Sequence, residues 1–186
     1  MKYFLIIGTL NVVTYKDVIP SVKRGEVWFG HNKKNMIYNV PDSYPLEGSS
    51  CGIDEKGRKW IECTGVRWLT NIGKNNRNPL TLTEHYSPEK YKHYDNYDAI
   101  EVSRAKKIPV DYYGEMGVPV TFLDKHCPEQ FEIVGVYNDF RSEFDGGISG
   151  FPVYIDEKHP RWQGPSVNFK SKYVRIIIKR KNNDKN

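Results

Sequence analysis

The chain has little cysteine and no long hydrophobic run. Its 186 residues include three cysteines at wide spacing, Cys51, Cys63 and Cys127, an odd number that argues against a disulfide framework and favours free thiols in a reducing compartment. The strongest apolar run, residues 4–8, is too short to span a bilayer, and the charged Lys2 precedes it without the hydrophobic segment of a signal peptide. We therefore expect a soluble, cytoplasmic protein with no membrane partner.

Metal-ligand spacing is also missing. The sequence contains neither Cys-x-x-Cys nor His-Glu-x-x-His, the two spacings that most often mark zinc sites. A nucleophilic Cys–His pair has no local signature either. We expect no structural metal at the five histidines, which are His31, His85, His93, His126 and His159.

Basic residues are in modest excess and are clustered. The formal net charge is +5 and the pI is about 8.9, values that favour a polyanionic partner. The clusters lie at residues 33–34, 104–107 and 179–181, and each is equally consistent with a solvated surface. Aromatic residues make up 13% of the chain and include 13 tyrosines, which supply flat faces for stacking on bases.

The first 30 residues predict a strand, a helix and a second strand. Residues 2–8 have the continuous apolar pattern of a strand buried on both faces. Thr14 is a candidate N-cap for an amphipathic helix that ends at Gly25, although Pro20 is expected to kink or shorten it. Residues 27–30 are the second strand, and this order is typical of an open α/β sheet with parallel strands.

The remaining chain predicts mostly short strands. Residues 31–59 form a polar loop that carries a hairpin turn at 54–57, and residues 60–72 form one strand. A second polar segment, 73–98, is followed by short β runs separated by Gly, Pro and Asp turns, at residues 99–102, 118–123, 131–136, 153–155 and 173–179.

Three segments resemble a known enzyme family. These are Tyr94 to Ile100, Gly114 to Lys125 and Pro128 to Ile133, and together they resemble the C-terminal half of the EcoRI-type adenine-specific DNA methyltransferases. The resemblance extends to both ends of the chain, at residues 4–8, 14–18, 27–30, 67–72 and 173–179. It therefore covers nearly the whole sequence.

The resemblance implies an α/β fold in two parts. Residues 1–75 resemble the C-terminal strands of a Rossmann-like methyltransferase sheet, and residues 76–186 resemble the family's β-rich target-recognition region, which binds double-stranded DNA.

The family takes its methyl group from S-adenosyl-L-methionine, with a Gly-rich turn for the cofactor and an Asn-Pro-Pro-Phe/Tyr motif for the target amine. The sequence has no Pro-Pro pair, and its Gly146-Gly147 pair follows no predicted strand. We therefore expect this chain alone to bind no cofactor and to be inactive.

The resemblance also implies candidate site residues. Residue types that read base edges or hold phosphates occur in the target-recognition region at Asn96, Arg104, Lys106, Lys107, Lys125 and Gln130. A base pocket is expected at Asn11, Trp28, Arg67 and Trp68. Each has a structural alternative, because tryptophans in apolar strands are often core residues and Asp95, Asp98 and Asp111 are also candidates for turn caps.

The sequence therefore predicts a fragment or split part of a site-specific DNA adenine N6-methyltransferase of a restriction-modification system. Its role would be target recognition, with a separate N-terminal half or a second copy of the chain as partner. Two alternatives stay open at this point. One is a non-catalytic DNA-binding module, and the other is a degenerate remnant of such an enzyme.

Overall fold

The computed structural model describes residues 3–15, 17–31, 35–73, 75–95, 97–137 and 165–181. The candidate base-reading residue Asn96, the basic pair at 33–34, the Gly146-Gly147 pair and the strand predicted at 153–155 lie outside these ranges.

The described residues form an α/β structure with mixed sheets and little helix. One short α-helix, α1, spans Ile19–Lys23, and single 3-10 turns span Leu10–Thr14, Ala105–Lys107 and Val120–Asp124. The strands are β1 (Leu5–Thr9), β2 (Trp28–Phe29), β3 (Met36–Asn39), β4 (Cys51–Ile53), β5 (Lys59–Cys63), β6 (Val66–Thr70), β7 (Ile100–Glu101), β8 (Glu115–Pro119), β9 (Phe131–Tyr137), β10 (Ser166–Val167), β11 (Lys170–Ser171) and β12 (Arg175–Arg180). No described helix is long and apolar enough to cross a membrane.

The first sheet differs from the predicted parallel unit. Its order is β1-β6-β2, and β6 is antiparallel to both neighbours, so β1 and β2 do not pair with each other. The prediction that residues 2–8 are buried was wrong for β1, since Leu5, Ile6 and Ile7 are 45–52% exposed. Among the described residues β1 pairs with β6 and with no other strand, so apolar side chains on both of its faces stay about half exposed.

The predicted helix is shorter than its pattern suggested. Thr14 does not cap it, because the Thr14 hydroxyl donates a hydrogen bond back to the Asn11 carbonyl (2.7 Å). The helix begins instead at Ile19, with Pro20 in its first turn. Proline is tolerated there because the missing N–H would have no partner in the helix.

The hairpin prediction at residues 54–57 was confirmed. Gly57 has a φ of +76°, and the Asp54 side chain accepts hydrogen bonds from the backbone N–H groups of Lys56 and Arg58, both at 2.9 Å. The turn joins β4 to β5 in a peripheral sheet of order β3-β5-β4. The single strand predicted over 60–72 is two strands, β5 and β6, in different sheets, and the chain bends between them at Gly65, whose φ is +68°.

The third sheet contributes many of the buried apolar side chains of the core. Its order is β7-β8-β12-β9, with β12 antiparallel to β8 and β9 and β7 parallel to β8. Residues 176–178 of β12 are fully buried. Ile176 and Ile178 belong to an apolar cluster that also includes Val13, Phe29 and Leu69 from the N-terminal segment. The first and third sheets therefore share one core, and the division at residue 75 stays a prediction.

Candidate nucleic-acid interface

Residues 94–100 of the predicted target-recognition region are held in place by aromatic packing and by hydrogen bonds. The rings of Tyr94 and Tyr97 pack against Tyr137, at centroid distances of 5.3 and 5.4 Å. The Tyr94 hydroxyl donates to the Glu101 carboxylate, and the Tyr97 hydroxyl donates to the Glu115 carboxylate. Burial raises the pKa of both phenols, and the neighbouring carboxylates raise it further. Both hydroxyls therefore stay protonated and act as structural donors.

The glycine at 117 is explained by Tyr94. A Cβ atom at Gly117 would overlap the Tyr94 hydroxyl and ring, so any side chain there would displace the tyrosine from its contact with Glu101. This packing links the Gly114 to Lys125 segment with the Tyr94 to Ile100 segment. Two of the three segments that carry the family resemblance are therefore one structural unit.

Asp95 is a turn cap, one of the alternatives considered for it. Its carboxylate accepts hydrogen bonds from the Ser166 hydroxyl (2.7 Å) and from the backbone N–H groups of Asn168 (2.9 Å) and Phe169 (2.8 Å). Asp111 has a similar role, because it accepts from the backbone N–H of Tyr86 at 2.8 Å. That hydrogen bond is the main cause of the lowered pKa of the Asp111 carboxyl.

The basic cluster at Arg104, Lys106 and Lys107 lies on a 3-10 turn. Arg104 and Lys106 are exposed and Lys107 is half-buried, and the Tyr91 hydroxyl fixes the turn by donating to the Lys107 carbonyl (2.8 Å). Glu84 lies nearby, since its carboxyl pKa is lowered mainly by Lys90 and also by Lys107 and Lys106. Glu84 offsets part of the charge of this cluster, and the contact of the cluster with phosphates stays a prediction.

Lys125 and Gln130, the other two described candidates in this region, differ in exposure and in hydrogen bonding. Lys125 is exposed. The Gln130 amide is already bonded, because its Oε1 accepts from the Leu80 N–H (2.7 Å) and its Nε2 donates to the Leu80 carbonyl (2.9 Å). Gln130 therefore ties the 75–95 segment to the start of β9, a role that its residue type alone did not indicate.

The base-pocket candidates do not form one group. Trp28 is paired opposite Thr70 in the β2–β6 ladder, and the N–H of Gly30 bonds to the Trp68 carbonyl (2.8 Å). Because side chains alternate along a strand, Trp28 and Trp68 lie on one face of the sheet and Arg67 lies on the other. Arg67 pairs there with Asp124 (Nε–Oδ1 3.1 Å), and both side chains are almost buried.

The cavity beside Trp28 is small. It is lined by apolar residues together with Asn75 and His126, and its volume is about 10 Å³, room for one water molecule and not for a purine. Asn11 lies elsewhere, in the turn after β1, where its amide donates a hydrogen bond to the Tyr173 hydroxyl. A base-sized pocket is therefore not formed by these four residues in the described part of the chain.

Arg77 was not anticipated from the sequence. Its guanidinium donates to the backbone carbonyls of Asp124 (2.9 Å) and Phe29 (2.6 Å) and to the side chain of Asn75 (2.6 Å). Burial lowers its pKa from the usual value. An arginine in a polar, asparagine-rich segment carries no local signal of such a role, because its backbone partners lie nearly 50 positions away, on both sides in the sequence.

The described ranges hold no candidate metal site. In them, no group of three or more His, Cys, Asp or Glu side chains is placed to hold a metal ion.

The sequence comparisons place the chain in a family of adenine-specific methyltransferases. Residues 1–181 match the family model of the adenine-specific methyltransferase EcoRI. The chain therefore belongs to the EcoRI adenine-specific methyltransferase family, which confirms the resemblance seen in its motifs.

Three curated relatives give the extent of the match. Type II methyltransferase M.EcoRI of Escherichia coli is 39% identical over 97% of this chain and 51% of its own length. M.MgeORF184P of Mycoplasma genitalium is 34% identical over 96% of this chain and 57% of its own, and M.MpnI of Mycoplasma pneumoniae is 31% identical over 98% and 58%. The chain thus spans a little over half the length of these relatives. No solved structure matches it.

Proposed function

We propose that this chain is the target-recognition part of a type II, adenine-specific DNA methyltransferase of a restriction-modification system. The observation that carries the proposal is the match of nearly the whole chain to about half of three type II methyltransferases. The substrate would be double-stranded DNA, and the methyl donor of the complete enzyme would be S-adenosyl-L-methionine.

The residues present do not fit that cofactor. The sequence has no Pro-Pro pair and no Gly-x-Gly turn after a strand, and the cavity beside Trp28 is too small for an adenosyl group. We therefore assign cofactor binding and methyl transfer to a separate N-terminal half, and the recognition of DNA to this chain.

The exposed strand β1 supports such a partner. Leu5 and Ile7 project from one face and Ile6 from the other, and all three are about half exposed. The edge of β1 that does not pair with β6 is also open in the described structure. Apolar residues on both faces of an edge strand are typical of a strand that lies inside a larger sheet. A neighbouring strand from the other half would pair with the open edge of β1, and helices from that half would cover its apolar side chains.

The DNA surface is proposed around the Ala105–Lys107 turn. Arg104 and Lys106 are exposed there, on a turn fixed by Tyr91, so their charges are held on a rigid support. Lys125 is a further exposed cation of the region. Such residues hold phosphates and fix the register of a protein on the duplex, whereas base-edge contacts give specificity.

Two alternatives are kept, a non-catalytic DNA-binding module and a degenerate remnant. DNA binding separates the remnant from the others. Fluorescence anisotropy of a labelled duplex, titrated with the chain at low salt, should show binding that weakens as salt is added. A flat titration at low salt would contradict the proposed function and favour the remnant.

A further inference from the structure

The β10–β11 turn holds a phenylalanine in an unusual backbone conformation. Asn168 and Phe169 have φ values of 52° and 60°, and two consecutive residues in the left-handed region define the tight turn of a two-residue hairpin. Asparagine adopts this conformation readily, but glycine is the usual second residue and an aromatic side chain is rarely found there. Phe169 is nevertheless 71% exposed, so burial of its ring does not account for its position.

The rest of the chain holds this turn in place. Asp95 accepts hydrogen bonds from the Ser166 hydroxyl and from the backbone N–H groups of Asn168 and Phe169, all between 2.7 and 2.9 Å. The Asp95 N–H also donates to the Ser166 carbonyl (3.0 Å). A carboxylate makes stronger hydrogen bonds than a neutral acceptor. The carboxylate therefore helps to stabilise a conformation that the sequence of the turn disfavours, and strained residues held in this way are concentrated at functional sites.

The surroundings of Phe169 suit nucleic acid. Lys170 is exposed beside it, Lys172 follows, and Tyr173 is a second exposed aromatic residue. An aromatic ring close to lysines offers stacking together with phosphate neutralisation. The Tyr173 hydroxyl also accepts a hydrogen bond from Asn11, which joins the hairpin to the turn that follows β1.

We propose that residues 166–173 form a wedge that enters duplex DNA. The Phe169 ring stacks on a base that has lost its neighbour, and Lys170 and Lys172 hold the adjoining phosphates. Side chains of this kind partly unstack base steps and kink the duplex, and an enzyme that acts on adenine in a duplex needs the base out of the stack. This inference rests on the proposed function. It adds that the Phe169 ring fills the gap that opens between the bases.

The test uses duplexes that carry 2-aminopurine at several TA steps, which unstack easily. The fluorescence of 2-aminopurine rises when it loses its stacking neighbours. The wild-type chain should raise it on binding, and Phe169→Ala should bind the paired duplex roughly tenfold more weakly with a smaller rise. On a duplex with an abasic site the weakening should be smaller, because that stack is already open. Tyr44→Ala, which removes an exposed aromatic residue from the polar loop before β4, is the matched control and should bind as wild type.

A second variant excludes misfolding as the explanation. Phe169→Gly supplies the residue that the turn prefers, so its thermal midpoint should be no lower than that of the wild type while its DNA signals match those of Phe169→Ala. Equal binding and equal fluorescence for the wild type and both Phe169 variants would overturn the wedge and leave the proposed function standing. Failure of the wild type to bind any duplex would overturn both.

Discussion

Glu101 and Arg175 form a two-pronged ion pair across 74 positions of sequence. The Arg175 Nη2 lies 2.8 Å from Glu101 Oε1, and its Nε lies 3.1 Å from Oε2. Both side chains are 12% exposed, and Tyr94 donates a further hydrogen bond to the same carboxylate. The pair connects β7 to β12 on either side of β8, and Arg175 follows closely in sequence on the hairpin that carries Phe169.

The first prediction is that Glu101→Gln lowers the free energy of unfolding by about 3 kcal/mol. Removing one partner of a buried pair leaves the other charge uncompensated. Urea unfolding would measure the decrease. Glu26→Gln is the control, because it breaks the exposed Arg24–Glu26 pair, whose loss should change stability far less. Equal small decreases in both variants would show that the Glu101–Arg175 pair is not structural.

The local parts of the fold were predictable from the sequence and the distant pairings were not. The turn at 54–57 depends on Asp54 and Gly57, which lie within one turn of each other, and the sequence predicts it. The Arg67–Asp124 pair joins residues 57 positions apart, so the sequence could suggest a place for Arg67 in a base pocket but not its actual partner.

The same reason explains the error at β1. Its apolar run predicts a buried strand, because a run of large apolar residues is normally covered on both faces. The actual burial of β1 depends on the strands beside it. Its partner β6 is distant in the sequence, so the local apolar run does not reveal it. Of the candidate site residues, Arg104 and Lys106 are exposed as the composition of the basic cluster suggests, whereas the internal hydrogen bonds of Gln130 were not foreseeable.

A second prediction concerns pH and His126. Burial lowers the pKa of this imidazole, and Arg77 and Lys181 lower it further, against a hydrogen bond to the Phe131 carbonyl that raises it. Below about pH 6.5 the unfolded chain takes up a proton at this histidine before the folded chain does. Stability should therefore fall as the pH is lowered through that range, by at most about 1.4 kcal/mol per pH unit.

Substitution isolates this contribution. His126→Asn should lose less stability than the wild type between about pH 7.5 and about pH 5.5 in urea unfolding, whereas His31→Asn, at an exposed histidine, should follow the wild type. Identical pH dependence in all three proteins would show that His126 titrates normally in the folded state.

The third prediction concerns the DNA surface. Changing Arg104, Lys106 and Lys107 together to Ala should weaken duplex binding whatever the DNA sequence. The slope of log affinity against log salt should become shallower by about 0.9 for each phosphate that the variant no longer neutralises. Anisotropy titrations at several salt concentrations would measure both quantities.

A control with the same change of charge tests whether position matters. Arg24, Lys56 and Arg58 are exposed and lie outside the proposed surface, so their triple alanine variant should keep most of the affinity and the slope. If the two triple variants bind equally, the Ala105–Lys107 turn is solvated surface and the DNA contacts lie elsewhere.

The fourth prediction is that the chain associates through β1. Replacing Leu5 and Ile7 with Lys should shift the protein towards the monomer in sedimentation velocity, because charges on that face oppose its burial. Ile37 and Ile53, which are at least as exposed in the peripheral sheet, provide the matched double substitution and should leave the distribution unchanged. A wild-type chain that stays monomeric at all concentrations would contradict self-association.

The central proposal is that this chain recognises DNA for a methyltransferase whose cofactor site lies in the half of the enzyme that this chain does not match. The most direct measurement is transfer of labelled methyl groups from S-adenosyl-L-methionine to duplex DNA. It would be made with the chain alone and with the chain mixed with the part of the Escherichia coli relative that this chain does not match. The account predicts no transfer by the chain alone and transfer by the mixture. Methylation by the chain alone would contradict it, and an inactive mixture that still binds DNA would favour the non-catalytic binding module.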